Sequence, residues 1–282
     1  MERRNVLTAC GTVLTGLLAG CGGGGGDAAR MSAAPADGAF RGSLIRGILF
    51  RIGLVVTVVV WGVISLPSFP LPLRWRYWWI TRWCSIVAVM VRYIGGIRIE
   101  INGLENRPPP PGVVIAKHQS AWETLNLLPW FYPQSWVLKR ELLKIPVFGW
   151  GLARLDPIAI DRRATRESLR QVVRQGSDKL RRGRWVVIFP EGTRVAPGER
   201  GRYQQGGALL ACQAGVDVIP VAHNAGEHWP RRGLRMNPGT IRIEIGPPIA
   251  TAGRTPAAVN REAEVWIESA MERLSAPRHP DC

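Results

Sequence analysis

The stretch Lys117-His118-Gln119-Ser120-Ala121-Trp122-Glu123-Thr124 places an imidazole and a carboxylate with four residues between them. An imidazole that takes a proton from an attacking hydroxyl needs its other ring nitrogen held. One tautomer then faces the substrate, and the imidazolium is stabilised once it forms. Glu123 can do both for His118, so the pair is a candidate general base with its orienting acid. Ser120 is the competing nucleophile. It stands two residues from His118, three before Glu123 and just ahead of Leu125, Leu127 and Leu128, which is the pattern of an N-cap and capping box heading a helix. The structural role fits Ser120 better, and the Gly-x-Ser-x-Gly elbow of a serine-type lipid esterase is missing from the chain.

A second stretch, Trp185-Val186-Val187-Ile188-Phe189-Pro190-Glu191-Gly192-Thr193-Arg194, runs from an apolar segment into a charged turn. Gly192 allows a close backbone approach, Thr193 offers a hydroxyl, and Arg194 presents a planar fork of donors suited to phosphate. Glu191 can either accept a substrate hydroxyl or hold Arg194.

The elements that must position these residues read as an α/β fold. Gly112 to Ala116 is a continuous apolar run behind Pro108 to Pro111, the pattern of a strand buried on both faces, so His118 falls at a strand's carboxyl end. Ile97 to Ile101 alternates as a strand and turns at Asn102-Gly103. Ser135 to Lys139 predicts the next strand and leaves Lys139 at its end, where open α/β sheets collect ligands. Pro157 to Ile160 predicts a strand ending at Asp161-Arg162. Ala164 to Arg182 predicts a helix with an apolar stripe at Leu169, Val172, Val173 and Leu180. Beyond the second stretch come a helix over Tyr203 to Ala214, strands over Val216 to Val221 and Thr240 to Ile245, and an amphipathic helix over Thr255 to Leu274. His223 and His228 are isolated and read as structural.

Together the two charged stretches resemble the 1-acyl-sn-glycerol-3-phosphate acyltransferase (lysophosphatidic acid acyltransferase) family. That family has a histidine, four residues and an acid, followed by Phe-Pro-Glu-Gly-Thr-Arg, here Phe189 to Arg194 letter for letter. Lys139-Arg140-Glu141-Leu142 with Ile145 to Trp150, and Pro157 to Arg162, agree in order and spacing. Val218-Ile219-Pro220-Val221-Ala222 looks like the family's late strand. The resemblance covers roughly residues 98 to 250. One departure stands out: the family's acid is usually Asp, and Glu123 is one methylene longer.

The resemblance implies a mostly parallel sheet flanked by helices, with an N-terminal membrane-associated helical hairpin. It implies transfer of a fatty acyl chain from acyl-CoA or acyl-carrier protein to the sn-2 hydroxyl of 1-acyl-sn-glycerol-3-phosphate, forming phosphatidic acid. A different lyso-lipid, such as lyso-ornithine lipid, is the alternative acceptor. His118 would be the base and Glu123 its orienting acid. Arg194, with Gly192 and Thr193, then Arg162 and Lys139, would hold phosphate, and Glu191 would belong to the acceptor site. No metal or other cofactor is implied, and the acyl thioester enters as co-substrate.

The formal net charge of +16 and pI near 11.0 call for an anionic partner or surface. Arg74-Trp75-Arg76-Tyr77-Trp78-Trp79 interleaves arginines with aromatic rings, which suits a phospholipid headgroup boundary better than a nucleic-acid groove. A non-enzymatic basic membrane-binding protein would share that charge, show steep salt dependence and leave His118 idle. The five cysteines, Cys10, Cys21, Cys84, Cys212 and Cys282, include no Cys-x-x-Cys pair and suggest no disulfide framework. A reducing compartment fits them.

Residues 1 to 43 read as a leader. Its basic start, apolar run to Cys21 and glycine tract have the outline of a bacterial lipoprotein signal, which conflicts with a cytoplasmic active site and suggests that translation starts at Met31. Residues 44 to 96 read as the membrane-associated hairpin. One arm, Gly47 to Leu66, is apolar except for Arg51; the other, Trp78 to Tyr93, is interrupted by Arg82 and Arg92. Residues 97 to 275 form the expected acyltransferase domain and 276 to 282 a tail. The expected location is the bacterial inner membrane with the active site facing the cytoplasm.

Overall fold

The computed structural model describes residues 42–161 and 165–275. Residues 1–41 of the leader, residues 162–164 with Arg162 among them, and the tail after Ser275 lie outside them. Three helices open the described chain: α1 (Leu44–Ile64), α2 (Leu73–Thr81) and α3 (Trp83–Tyr93). They are followed by β1 (Ile97–Asn102), β2 (Val113–Ala116), α4 (Trp122–Asn126), β3 (Gln134–Lys139), α5 (Phe148–Ala153), β4 (Ile158–Ile160) and α6 (Thr165–Arg181). The remainder is β5 (Trp185–Ile188), α7 (Gly206–Ala214), β6 (Val218–His223), α8 (Ala225–His228), β7 (Gly239–Ile245) and α9 (Pro256–Ser275).

The strands form one seven-stranded sheet in the order β1-β7-β6-β2-β5-β3-β4. Every described neighbour pair is parallel except β6 with β7, so the expected mostly parallel α/β sheet is what the chain forms. The central strands β2 and β5 are buried at every position, as continuous apolar runs require when helices cover both faces. Their side chains alternate between two cores. Val114, Ala116, Trp185 and Val187 face α1, α3 and α4 on one side, while Val113, Ile115, Val186 and Ile188 face α6, α7 and α9 on the other. At ~1.5–3 kcal/mol for each fully buried large apolar side chain, these two layers hold the carboxyl edge of the sheet in place.

The first helix is capped by Ser43, whose Oγ accepts Arg46 N–H at 3.2 Å. It buries Gly47, Phe50, Leu54 and Val58, one stripe at helical spacing, against the sheet's core. Gly47 is required there: a Cβ would stand 1.6 Å from Leu234 O. The opposite stripe, including Ile45, Leu49, Ile52, Val56, Val60 and Val63, is exposed. The helix has a mean hydropathy of 2.3 and is long and apolar enough to cross a membrane. Its two charges turn back onto the protein, with Arg46 Nη1 donating to Ile94 O at 3.1 Å and Arg51 Nη1 to Leu234 O at 3.0 Å.

The second apolar arm differs from the single stretch expected. It is two helices, α2 and α3, that break at Arg82, whose guanidinium lies 4.5 Å from the centre of the Trp78 ring. Cys84 is buried in the core and Cys212 is half-buried, and both are free thiols.

Candidate active site

The chain leaves β2 at Ala116, and the next two residues cross the sheet's edge with opposite side-chain directions, because strand side chains alternate. Lys117 points to the α9 side and His118 to the other. His118 Nδ1 lies 2.8 Å from Glu123 Oε1. The same oxygen accepts the backbone N–H groups of Gln119 at 2.9 Å and Ser120 at 2.8 Å. An ionised carboxylate only accepts, so Nδ1 carries the hydrogen and Nε2 is the nitrogen that can take a proton. Phe189 stacks on the imidazole, with ring centroids 4.2 Å apart and 13° between planes.

Glu123 is fully buried. Burial opposes its charge, yet His223, His118 and the Ser120 N–H together hold its carboxyl below the ordinary glutamate range. His223 is fully buried too, and burial lowers its pKa, keeping it neutral. It therefore offers Glu123 a ring dipole and not a full charge, and the donors on Oε1 carry the lowering. Ser120 serves structure, as its spacing suggested. Its Oγ donates to Trp229 O at 2.7 Å and accepts Trp122 N–H at 3.1 Å, although α4 itself begins one residue later, with Ala121 in the cap position.

Glu191 is brought to the dyad from the second stretch, where it contacts Lys117 and the His118 backbone and, among the described residues, makes no ion pair with Arg194. Its Oε2 accepts His118 N–H at 3.1 Å, and its Oε1 lies 3.2 Å from Lys117 Nζ, an ion contact outside good hydrogen-bonding direction. Lys117 Nζ also reaches Glu268 Oε1 on α9 at 2.7 Å, and Tyr203 Oη donates to that same oxygen at 2.8 Å. Burial pushes the Glu191 carboxyl up to about 7 despite the Lys117 charge.

The turn that follows is pinned across the histidine, with Val195 N–H donating to His118 O at 2.8 Å. Gly192 has φ +66°, a conformation that disfavours side chains, and Thr193 is exposed. Arg194 is half-buried and feels the Glu123 charge; burial lowers its pKa, Glu123 opposes this and Arg231 adds to it. Among the described residues its guanidinium has neither an ion-pair nor a hydrogen-bond partner. A guanidinium does not lose its proton in proteins, so this is a cation standing beside the dyad.

Lys139 ends β3, two strands from β2 and so roughly 10 Å away at the usual strand spacing, exposed at the same edge of the sheet. The structure shows no contact between it and the dyad among the described residues. Arg162 lies outside those residues. Two participants escaped sequence reasoning. Parallel pairing of β2 with β6, with Ala116 opposite Val221, brings His223 level with His118. His223 Nε2 donates to Lys117 O at 2.8 Å, its Nδ1 accepts Ala225 N–H at 3.3 Å, and Nε2 lies 3.9 Å from Glu123 Oε2. Lys117 is the other. Its signal was visible in the sequence, since a lysine at the end of an apolar strand is a costly residue to bury without a partner.

A family profile described as Acyltransferase matches residues 98–224. The 1-acyl-sn-glycerol-3-phosphate acyltransferase of Pseudomonas aeruginosa is 46% identical over 236 residues, spanning 82% of this chain and 92% of that protein. The chain belongs to the 1-acyl-sn-glycerol-3-phosphate acyltransferase family. Another relative, 1-acyl-sn-glycerol-3-phosphate acyltransferase alpha of Mus musculus, is 31% identical over 176 residues, 61% of each chain. The crystal structure of the 1-acyl-sn-glycerophosphate (LPA) acyltransferase PlsC from Thermotoga maritima matches with a TM-score of 0.68 and 23% identity, over 84% of this chain and 97% of that one. That likeness carries the fold. The chain is thus an acyltransferase, and the profile match contains the dyad, the Glu191 turn and His223. Glu268 on α9 lies beyond it, so the Lys117 link joins this acyltransferase's matched region to the rest of its domain.

Proposed function

We propose that the chain transfers a fatty acyl group from acyl-CoA or acyl-carrier protein to the sn-2 hydroxyl of 1-acyl-sn-glycerol-3-phosphate, forming phosphatidic acid for phospholipid synthesis. The observation that carries this reading is the 2.8 Å contact between His118 Nδ1 and Glu123, with the Arg194 cation beside it. Nε2 of His118 removes the proton of the acceptor hydroxyl as its oxygen attacks the thioester carbonyl. Collapse of the tetrahedral intermediate breaks the carbon–sulfur bond, and the imidazolium returns the proton to the departing thiolate. The buried Glu123 carboxylate stabilises the imidazolium in between. No enzyme-bound acyl group is needed, and neither is a metal or other cofactor, because the substrate supplies the nucleophile. Arg194 and the turn at Gly192 and Thr193 receive the acceptor phosphate. The names of the relatives, all acting on the same acceptor class, agree with this assignment.

We further propose that the enzyme works at the bacterial inner membrane with its active site toward the cytoplasm. An uncharged, exposed apolar stripe along α1, together with the exposed Leu71, Trp75 and Trp78 of the segment after it, supports lipid contact.

The test is acyl transfer from labelled acyl-CoA to lysophosphatidate in detergent, with wild type compared to His118→Ala. Phosphatidate formed by the wild type and lost in the variant is expected. A wild type that ignores lysophosphatidate but acylates another lyso-lipid would overturn the acceptor, and a fully active variant would overturn the mechanism.

A further inference from the structure

The segment from Arg200 to Gln205 and the first turns of α9 enclose a cleft of about 450 Å³, lined by Arg200, Arg202, Tyr203, Asn260, Arg261 and Glu264 among others. Three guanidiniums stand against one carboxylate. Arg200 Nη2 pairs with Glu264 Oε1 at 3.1 Å, while among the described residues Arg202 and Arg261 have no ion-pair partner. Asn260, 6% exposed, holds an Oδ1 without a hydrogen-bond partner. Protein folds rarely leave such an atom unsatisfied. The cleft thus asks for an anion and, beside it, an N–H donor.

Its position decides which ligand. Tyr203, in the cleft wall, donates to the Glu268 oxygen that also holds Lys117, the residue preceding His118. Gln204 N–H donates to Pro190 O at 2.9 Å, next to Glu191. Cleft and dyad therefore share the carboxyl edge of the sheet and are separated by the Lys117–Glu191 layer. But α9 packs on the face of the sheet opposite to α1, because Val259, Ala263 and Ile267 belong to one core and Phe50, Leu54 and Val58 to the other. A ligand in the cleft enters from water, away from the apolar stripe, which excludes a lipid headgroup held in a bilayer beneath α1.

We propose that the cleft binds the phosphate and neighbouring amide of the acyl donor's phosphopantetheine arm, the chemistry that coenzyme A and acyl-carrier protein thioesters share. The inference rests on the transfer reaction above. The phosphate meets Arg202 and Arg261, an arm N–H satisfies Asn260 Oδ1, and the arm runs over the sheet's edge to bring its thioester to His118.

The double substitution Arg202→Ala/Arg261→Ala removes two exposed side chains that support nothing in the core, so the fold is retained. Steady-state kinetics with acyl-CoA should show the donor KM raised by roughly tenfold or more, from the loss of charge-assisted hydrogen bonds, with kcat and the KM for lysophosphatidate within about twofold of wild type. Asn260→Ala should raise the donor KM by a smaller factor. The same loss with acyl-carrier protein as donor places the shared phosphopantetheine in the cleft. A loss confined to acyl-CoA would place its nucleotide phosphates there and overturn the arm assignment. An unchanged donor KM, or a raised lysophosphatidate KM instead, would overturn the proposal while the enzyme stays active. Calorimetric binding of coenzyme A to wild type and double variant separates the two readings: binding lost with the arginines supports the cleft even for an enzyme inactive on lysophosphatidate, and binding equal in both refutes it.

Discussion

Glu123→Gln isolates the charge of the dyad from its shape. In the wild type one carboxylate oxygen accepts three donors, from His118, Gln119 and Ser120, all within 2.9 Å. If the glutamine oxygen keeps that place, the new NH2 group takes the Oε2 position, 3.1 Å from Ser120 N–H and 3.9 Å from His223 Nε2–H, donors facing a donor. If the amide turns over, it faces His118 Nδ1 and forces the imidazole into the other tautomer, with its hydrogen on Nε2, where it cannot take a proton from the substrate. Either way the imidazolium loses its counter-charge. At a separation of ~4 Å and an effective dielectric near 20 that interaction is worth about 4 kcal/mol, or roughly a thousandfold in kcat. The assay is initial-rate acyl transfer in detergent, with both KM values and a thermal unfolding curve for each protein. The expected result is kcat down by about 10³ with the lysophosphatidate KM nearly unchanged. Glu123→Asp serves as the companion that keeps the charge. Its carboxylate is one methylene short and sits over ~1 Å too far from Nδ1 on this backbone, so a loss of roughly 10- to 100-fold is expected. A folded Glu123→Gln enzyme with kcat within fivefold of wild type would refute the orienting role.

Glu191, with its carboxyl raised from an ordinary value of 4.5 to about 7, binds its proton more tightly in the folded protein than in the unfolded chain. Stability should therefore fall as pH rises from about 4.5 to about 7. Urea midpoints should lose that slope in Glu191→Gln, and a slope equal in both proteins would sink the assignment. Arg194→Ala should raise the lysophosphatidate KM by about 10- to 100-fold with less effect on the donor KM, read from the same kinetics. Val56→Glu and Val60→Glu, on the exposed stripe of α1, should each weaken binding to anionic phospholipid vesicles by roughly tenfold in flotation assays and leave the melting temperature nearly unchanged.

Much of the fold was legible because its signals are local. The apolar runs at Val113–Ala116 and Trp185–Ile188 are buried strands, and the alternation over Gly239–Ile245 is a half-buried one. The period of Thr165–Arg181 and Pro256–Ser275 is helical, as expected. The break of the second apolar arm at Arg82 was less legible, since hydrophobicity continues through it and the change lies in the backbone, where the N–H groups of Arg82 and Ser85 bond three residues back.

By itself the sequence determined the dyad, because His118 and Glu123 sit on one tight turn whose backbone N–H groups aim at the carboxylate wherever the turn lies in the fold. It also determined the Glu191 turn and the α/β class. Only the tertiary structure decided what surrounds them. His223 reaches the dyad across more than a hundred residues of chain through parallel pairing of β6 with β2, and the register that places it leaves no periodic mark in either segment. Lys117 and Glu191 owe their roles to burial. Two carboxylates and one ammonium closed off from water must settle with each other, and this holds Glu191 where its Oε2 supports the His118 backbone. The apolar run before Lys117 marks a charge at the end of a buried strand, but which groups meet it depends on the whole packed molecule, and a local stretch of residues does not record them.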